Sequence, residues 1–315
     1  MRISGLSLIR DGFRLGYPFL EAIRSILPLV DEMVVVVAAS TDGTREAIEA
    51  IGDPKIRIID SIWPEQIRPK ACVLTQQTNI GLLQCTGDWV VYVQACEVFH
   101  EDDLPRLRAQ MAEHLHNDEV EGLLIERLVF YGDHQHVNRL YPERFKYVVR
   151  AIKPWTGALS VDTAMGFAIF DAYGKIGREV RAIDSGVNQF RYSQAIAPRA
   201  MEYKLRTAPH TLIEGATFSG EHYYTRVPKS FIARYPGTPP AVMKAFTEAH
   251  PFRLDPDSPL WRTRPTRKER WRLIETALYR RLGIPRWRHG RYTLIGDWVR
   301  KDRGWEQASL ADGPG

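Results

Sequence analysis

The sequence predicts an α/β fold built on a doubly wound, mainly parallel sheet, and three observations predict it. Strand-like and helix-like segments alternate through the first 130 residues. One strand, Met33–Ala39, is a continuous Val-rich run of the kind that is covered on both faces. Polar clusters stand at three strand ends, Arg10-Asp11, Ser40 to Thr44 and Gln94 to Glu97, where an open parallel sheet binds its ligands.

Residues 2–9 read as the first strand and Tyr17–Leu29 as a helix, with Phe19, Leu20, Ile23, Ile26 and Leu27 at helical spacing. After the Val-rich strand, Ser40-Thr41-Asp42-Gly43-Thr44 turns into a short helix closed by Gly52. Lys55–Ile59 is the third strand, Thr75–Leu83 a helix and Gly87–Val93 the fourth strand. Asp102–His116 reads as a helix opened by Glu101-Asp102-Asp103, whose charges suit the positive end of its dipole. Glu121–Phe130 is the strand that follows, and such β-α-β units wind right-handed. Beyond residue 131, RFKYVVRAI, GFAIFDAYG and VRAIDSGVNQFRY read as short antiparallel strands. Two helix-like segments, RKERWRLIETALYRRLG and YTLIGDWVRKD, come last. The expected organisation is a Rossmann-like half at 1–130, a smaller antiparallel region at 131–225, and a loop-rich, helical, basic extension at 226–315.

With 44% hydrophobic and 26% charged residues the chain is globular in composition. Its three cysteines, Cys72, Cys85 and Cys96, lack Cys-x-x-Cys spacing, which argues against a disulfide framework or a zinc finger. They suit a reducing compartment. No signal-peptide core and no apolar run of about 18 residues is present, so a soluble, cytoplasmic protein is expected. The absence of GxGxxG and GxxxxGKS loops removes support for dinucleotide or P-loop ATP binding. It also disfavours a nucleotidyltransferase on a related sheet. His114, His116, His134 and His136 read as surface histidines, since no clear third ligand joins them.

The net charge of +5 is uneven. From Asp257 to Arg303, 14 Lys/Arg face 5 Asp/Glu, a balance of +9 that leaves the rest of the chain at −4. Trp261, Trp271, Trp287, Trp298 and Trp305 interleave with the arginines there. That pattern suits the headgroups of an anionic membrane, giving a cytoplasmic protein peripheral on the inner face of the cell membrane. The alternative is a helical pair whose Trp and Leu side chains cover the body. Nucleic acid is not expected as a partner, because no reading motif accompanies the charge.

The strand MVVVVAA with STDGT, the run from Lys70 to Leu104, and EGLLIERLVFYGD together resemble family-2-type glycosyltransferases over roughly residues 1–200. The resemblance implies a GT-A fold and transfer of a sugar from a nucleotide-diphosphate sugar, usually with Mn²⁺ or Mg²⁺ and with inversion. It implies that 131–225 binds the acceptor, a saccharide or a lipid-linked one, in cell-surface glycan (polysaccharide or lipopolysaccharide) synthesis. For the nucleotide sugar it points to Arg10, Ser40, Asp42, Lys70, Thr78, Asn79, Gln94, Cys96 and Arg191. For the catalytic base it points to Asp162, ahead of Thr163-Ala164-Met165-Gly166-Phe167, with Asp184 and Glu143 as fallbacks. On residue type alone, Ser40 to Thr44 is also a helix cap, Lys70 a solvated lysine and Asp162 a turn residue.

The sequence departs from that family where the metal should sit. An acidic cluster of the form Asp-x-Asp or Ala-Asp-Glu is expected at the end of the fourth strand, and here it is Gln94-Ala95-Cys96-Glu97. The metal-ligand aspartate falls on Cys96, leaving Glu97 as the carboxylate that could ligate a metal or act in catalysis. A thiol is a poor match for Mg²⁺ and a mediocre one for Mn²⁺. Arg191, in Phe190-Arg191-Tyr192-Ser193, stands where many relatives carry a metal-binding His, and a guanidinium itself neutralises phosphate. Three readings stay open. One is a transferase with little or no metal dependence, and a second is a metal held through Glu97 and another residue. The third is a non-catalytic sugar-nucleotide-binding or scaffold protein with a degenerate site.

Overall fold

The Val-rich strand forms the middle of the first layer. In a computed structural model that describes residues 1–64, 66–67, 72–139, 146–207, 223–224, 227–252, 262–271, 274, 292–297 and 299, β1 (Ile3–Ile9) is buried throughout. It pairs in parallel with β2 (Glu32–Ala38), whose valines are buried on both faces as the uninterrupted apolar run requires. Helix α1 (Phe19–Ile26) links them and turns Phe19, Ala22, Ile23 and Ile26 into the core. Helix α2 (Thr44–Glu49) then leads to β3 (Ile56–Ser61), parallel to β2 at the sheet edge. Helix α3 (Cys72–Leu82) returns the chain to β4 (Trp89–Tyr92), parallel to β1 on its other side.

That return makes the functional geography. The sheet order is β3-β2-β1-β4 at this end, so the chain reverses direction of travel between β1 and β4. A doubly wound sheet opens a crevice at such a point, beyond the carboxyl ends of the strands. After β5 (Glu97–Phe99) and α4 (Leu104–Glu113), the fully buried β6 (Gly122–Tyr131) and the short β7 (His136–Asn138) follow. Strand β8 (Tyr147–Ile152) inserts antiparallel between β4 and β6. Strands β9 (Ala158–Val161) and β10 (Gly166–Phe170) form a hairpin, and β10 pairs with the long β11 (Ile176–Gln194). Strand β11 runs parallel to β6 and antiparallel to β5. Helix α5 (Pro198–Thr207), β12 (Ile232–Arg234), α6 (Met243–Ala249) and β13 (Tyr292–Leu294) complete the described elements. The predicted α/β class, a mainly parallel sheet with an antiparallel addition, is the class observed.

Two sequence expectations are corrected. YTLIGDWVRKD does not begin as a helix: Tyr292–Leu294 is a strand that pairs in parallel with Val180–Ala182. Tyr and Thr favour a pleated, half-buried edge, and Gly296 at φ +75° turns the chain after it. His134 is not a surface residue but is buried edge-on against Tyr192 and Phe246. Of RKERWRLIETALYRRLG, residues 267–271 and 274 are helical and the rest lies outside the described residues, as do Trp261, Trp287, Trp298 and Trp305.

The seat of α3 on the sheet depends on Gly81. A Cβ there would stand 2.5 Å from Leu6 Cδ1 and 2.7 Å from Val36 Cγ2, both in the buried core. Gly81→Ala should therefore destabilise the fold by about 1–3 kcal/mol, despite the better helix propensity of alanine. Urea unfolding should show a lower midpoint at unchanged slope, and an unchanged or raised midpoint would contradict this packing.

Candidate functional site

The site is organised around one buried carboxylate. Glu97 opens β5 and is fully buried. Three arginines from three strands converge on it. Arg150 Nε lies 3.1 Å from Oε2 and its Nη2 3.0 Å from Oε1. Arg127 Nη2 lies 3.1 Å from Oε1, and Arg191 Nη1 donates to the same oxygen. The strand pattern explains the convergence. Arg191 is the direct cross-strand partner of Glu97 in the β11–β5 ladder. Arg150 is the extra residue where the β6–β8 register shifts, a bulge that re-aims its side chain. Burial alone would raise the Glu97 carboxyl, but Arg150, Arg127 and Arg191 outweigh it and hold the group well below the usual carboxylate range.

Beside this cage, beyond the ends of β1 and β4, lies a cleft with a cavity of about 200 Å³. Arg191 and Lys204 face it, and Tyr92, Gln94, Ala95 and Cys96 contribute from the β4 end. Lys204 projects from α5, is 9% exposed, and donates from Nζ to the Ser193 carbonyl. Burial pushes its ammonium down to about 8, with Cys96 pulling the other way and Arg191 adding to the fall. Across the cleft, Arg10 lies over the Trp63 ring at 4.4 Å. Asp11, buried and at φ +48°, accepts from Tyr203 Oη at 2.8 Å and from Arg14 Nη1 at 3.2 Å.

The opposite wall is a left-handed turn. Asp162, Thr163 and Ala164 have φ of 51°, 61° and 58°, a conformation that costs L-residues on the order of 1–2 kcal/mol each. The cage and its neighbours hold the turn in place. Gln94 Nε2 donates to the Ala164 carbonyl at 2.9 Å, Thr75 Oγ1 accepts from Ala164 N at 3.2 Å, and Arg150 Nη1 reaches the Met165 carbonyl at 3.4 Å. Strain maintained by this many contacts, at a cleft, is the usual sign of a working surface.

The sequence-predicted residues fall in different places. Arg10, Gln94, Cys96 and Arg191 line the cleft. Gln94 is fixed there by Arg191, whose Nη1 donates to its Oε1 at 2.7 Å. Ser40 and Asp42 lace the β1 loop to the β2 turn: Ser40 Oγ accepts from Asp11 N at 3.0 Å, and Asp42 accepts from Arg14 N at 3.0 Å and from Thr44. Thr78 donates to the Leu74 carbonyl, and Asn79 pairs with the Ser160 backbone at 2.7 and 3.3 Å, so α3 uses both for packing. Asp162 is exposed at the cleft rim next to Thr163. Asp184 is buried in the β11 bulge, accepting from Gly186 N and Val299 N. Lys70 and Glu143 lie outside the described residues. Sequence reasoning missed Arg127, Arg150, Lys204 and Tyr203. A charged residue inside an otherwise apolar strand, as in LLIERLVFY and YVVRAI, is the signal that could have found the first two.

A hard divalent cation does not fit these residues. Where it would sit, an amide and a thiol replace carboxylates, and the neighbouring carboxylate already serves three guanidiniums. Among the described residues, no group of three or more His, Cys, Asp or Glu side chains could hold a metal ion.

Residues 18–171 match the sequence model of glycosyl transferase family 2. No curated protein matches the chain. Among solved structures, residues 1–349 of TarS from S. aureus are 19% identical over 49% of this chain and 47% of that one, with a TM-score of 0.35. Glucosyl-3-phosphoglycerate synthase from Mycobacterium tuberculosis, in complex with Mn²⁺, UDP-glucose and phosphoglyceric acid, is 23% identical. That match covers 41% of this chain and 44% of the synthase, with a TM-score of 0.29. The chain thus spans less than half the length of either.

Glu97→Ala would leave two buried guanidiniums and the half-buried Arg191 without their shared carboxylate, a loss of about 3–5 kcal/mol in chemical unfolding. Because the folded-state acid is held low, its contribution is complete above the ordinary carboxylate range near 4.5 and fades as pH falls through the folded value. Wild type should therefore lose stability on acidification more steeply than Glu97→Gln below about pH 4.5. Parallel curves for the two would contradict the cage.

Proposed function

We propose that this chain transfers a sugar from a nucleotide-diphosphate sugar to a saccharide or lipid-linked acceptor, with inversion, and that cationic side chains take the part of the metal. The single observation that carries the reading is the Glu97 cage. One carboxylate is shared by Arg127, Arg150 and Arg191, and Arg191 also faces the cleft at the β1–β4 switch point. These four side chains sum to +2, next to the place where a leaving diphosphate would develop negative charge. Preorganised cations there stabilise that charge without reorganising during the reaction. The match of residues 18–171 to the glycosyl transferase family 2 model supports the reaction class.

In this reading the nucleotide lies across the ends of β1 and β2, its diphosphate on Arg191 and Gln94, and the transferred sugar against the Thr163–Met165 wall. Asp162, exposed at the rim, receives the acceptor proton. The described part of the basic extension supports an acceptor met at an anionic membrane: Trp271 is 62% exposed beside Arg267, Lys268 and Arg270.

A panel of nucleotide sugars, assayed for release of the nucleoside diphosphate in the presence of candidate acceptors, tests the reading. One donor should turn over, and Asp162→Asn should lower kcat by about 10²–10⁴ with donor affinity unchanged. Donor binding without turnover throughout the panel would favour the non-catalytic sugar-nucleotide-binding reading. No binding of any donor would sink both.

A further inference from the structure

Helix α5 brings a second cation to the cleft from a part of the chain outside the matched domain. Lys204 follows β11 by ten residues, and the residue is 9% exposed on the wall that also holds Arg191 and Cys96. Its Nζ is anchored on the Ser193 carbonyl and stands 5.6 Å from the Tyr17 ring centroid. Ser193 also accepts from Arg191 Nε through its hydroxyl at 3.0 Å, so one residue sets the position of both cations.

Arg191 keeps its bond to Glu97 and Lys204 its bond to the Ser193 carbonyl, so both cations are held in place on the cleft lining beside Gln94 and Cys96. We propose that Lys204 and Arg191 form a two-cation clamp for the diphosphate of the donor, with Lys204 holding the leaving phosphate as the glycosidic bond to it breaks. With Lys204 protonated, it and the four side chains of the cage carry +3, which matches the three negative charges of a released nucleoside diphosphate. This rests on the donor reading above.

The groups facing Lys204 are Arg191 from β11, Cys96 from the β4–β5 turn and the Tyr17 ring ahead of α1. Its depressed ammonium gives the clamp a pH ceiling. Below about 8 the amine is charged and diphosphate affinity should be flat; above it, affinity should fall by up to tenfold per pH unit. Lysine at this site titrates in reach of experiment, whereas arginine stays charged.

The test is calorimetric titration of nucleoside diphosphates and their matching monophosphates into wild type, Lys204→Met and Lys204→Arg between pH 7 and 9.5, without added metal. Lys204→Met should weaken the diphosphate by about 10–100-fold and the monophosphate by much less. Lys204→Arg should keep most of the affinity and lose the fall above pH 8. Cys96→Ala should retain that fall, which assigns it to the amine rather than the thiol. Circular dichroism and melting temperature check that each variant folds. If Lys204→Met binds the diphosphate as wild type does while Arg191→Met does not, the clamp is wrong and the donor reading stands. If Lys204→Arg keeps the pH dependence, the clamp is likewise wrong. If wild type binds no diphosphate at any pH, both fall.

Discussion

The buried charge at Glu97 constrains everything around the cleft. A carboxylate with no exposure must be matched, and here it is matched by three guanidiniums delivered from β6, β8 and β11. Each delivery fixes something else. The cross-strand pair with Arg191 sets the register of β5 on β11. The bulge that frees Arg150 to reach inward sits where β8 reverses direction between its parallel neighbours. The same arginines then touch Met165, through its carbonyl and its sulfur, and so tie the left-handed turn to the cage.

On the proposed reading, one electrostatic solution is exchanged for another. A metal site concentrates carboxylates and lets a cation neutralise them together with phosphate. Here Gln94 and Cys96 stand at the end of β4, and the positive charge beside them comes from arginines of the chain itself. Gln94 is bonded to Arg191 on one side and to Ala164 on the other, so its amide is a structural link between the cation and the turn. An arginine-based site needs no ion from solution, but its charge is fixed by the fold and cannot be removed by a chelator.

How much of this was legible in the sequence depends on range. The valine run, the alternation of elements and the strand-end polar clusters are local patterns, and they located the sheet and two segments of the cleft lining, Arg10-Asp11 and Gln94 to Cys96. Cys96 and Arg191 could be singled out because each departs from a local motif. Arg127 and Arg150 could not be joined to Glu97, because their meeting depends on a β-bulge and on a strand inserted out of sequence order. Lys204 stood in an ordinary amphipathic helix, and only the docking of α5 turns it inward. Thr78 and Asn79 read in the sequence as nucleotide contacts, and in the fold their side chains bond to Tyr92 and to the β9 backbone. His134 was hidden for the same reason, its burial being set by Tyr192 and Phe246 from distant elements.

The most direct test of the account is the affinity of the wild-type chain for its preferred nucleoside diphosphate, measured by calorimetry once in excess EDTA and once in millimolar Mn²⁺. A cationic site predicts dissociation constants that agree within about twofold, or roughly 0.4 kcal/mol. Binding that appears only with Mn²⁺, or tightens by about tenfold or more with it, would contradict the central claim that the Glu97 arginines and their neighbours stand in for the metal.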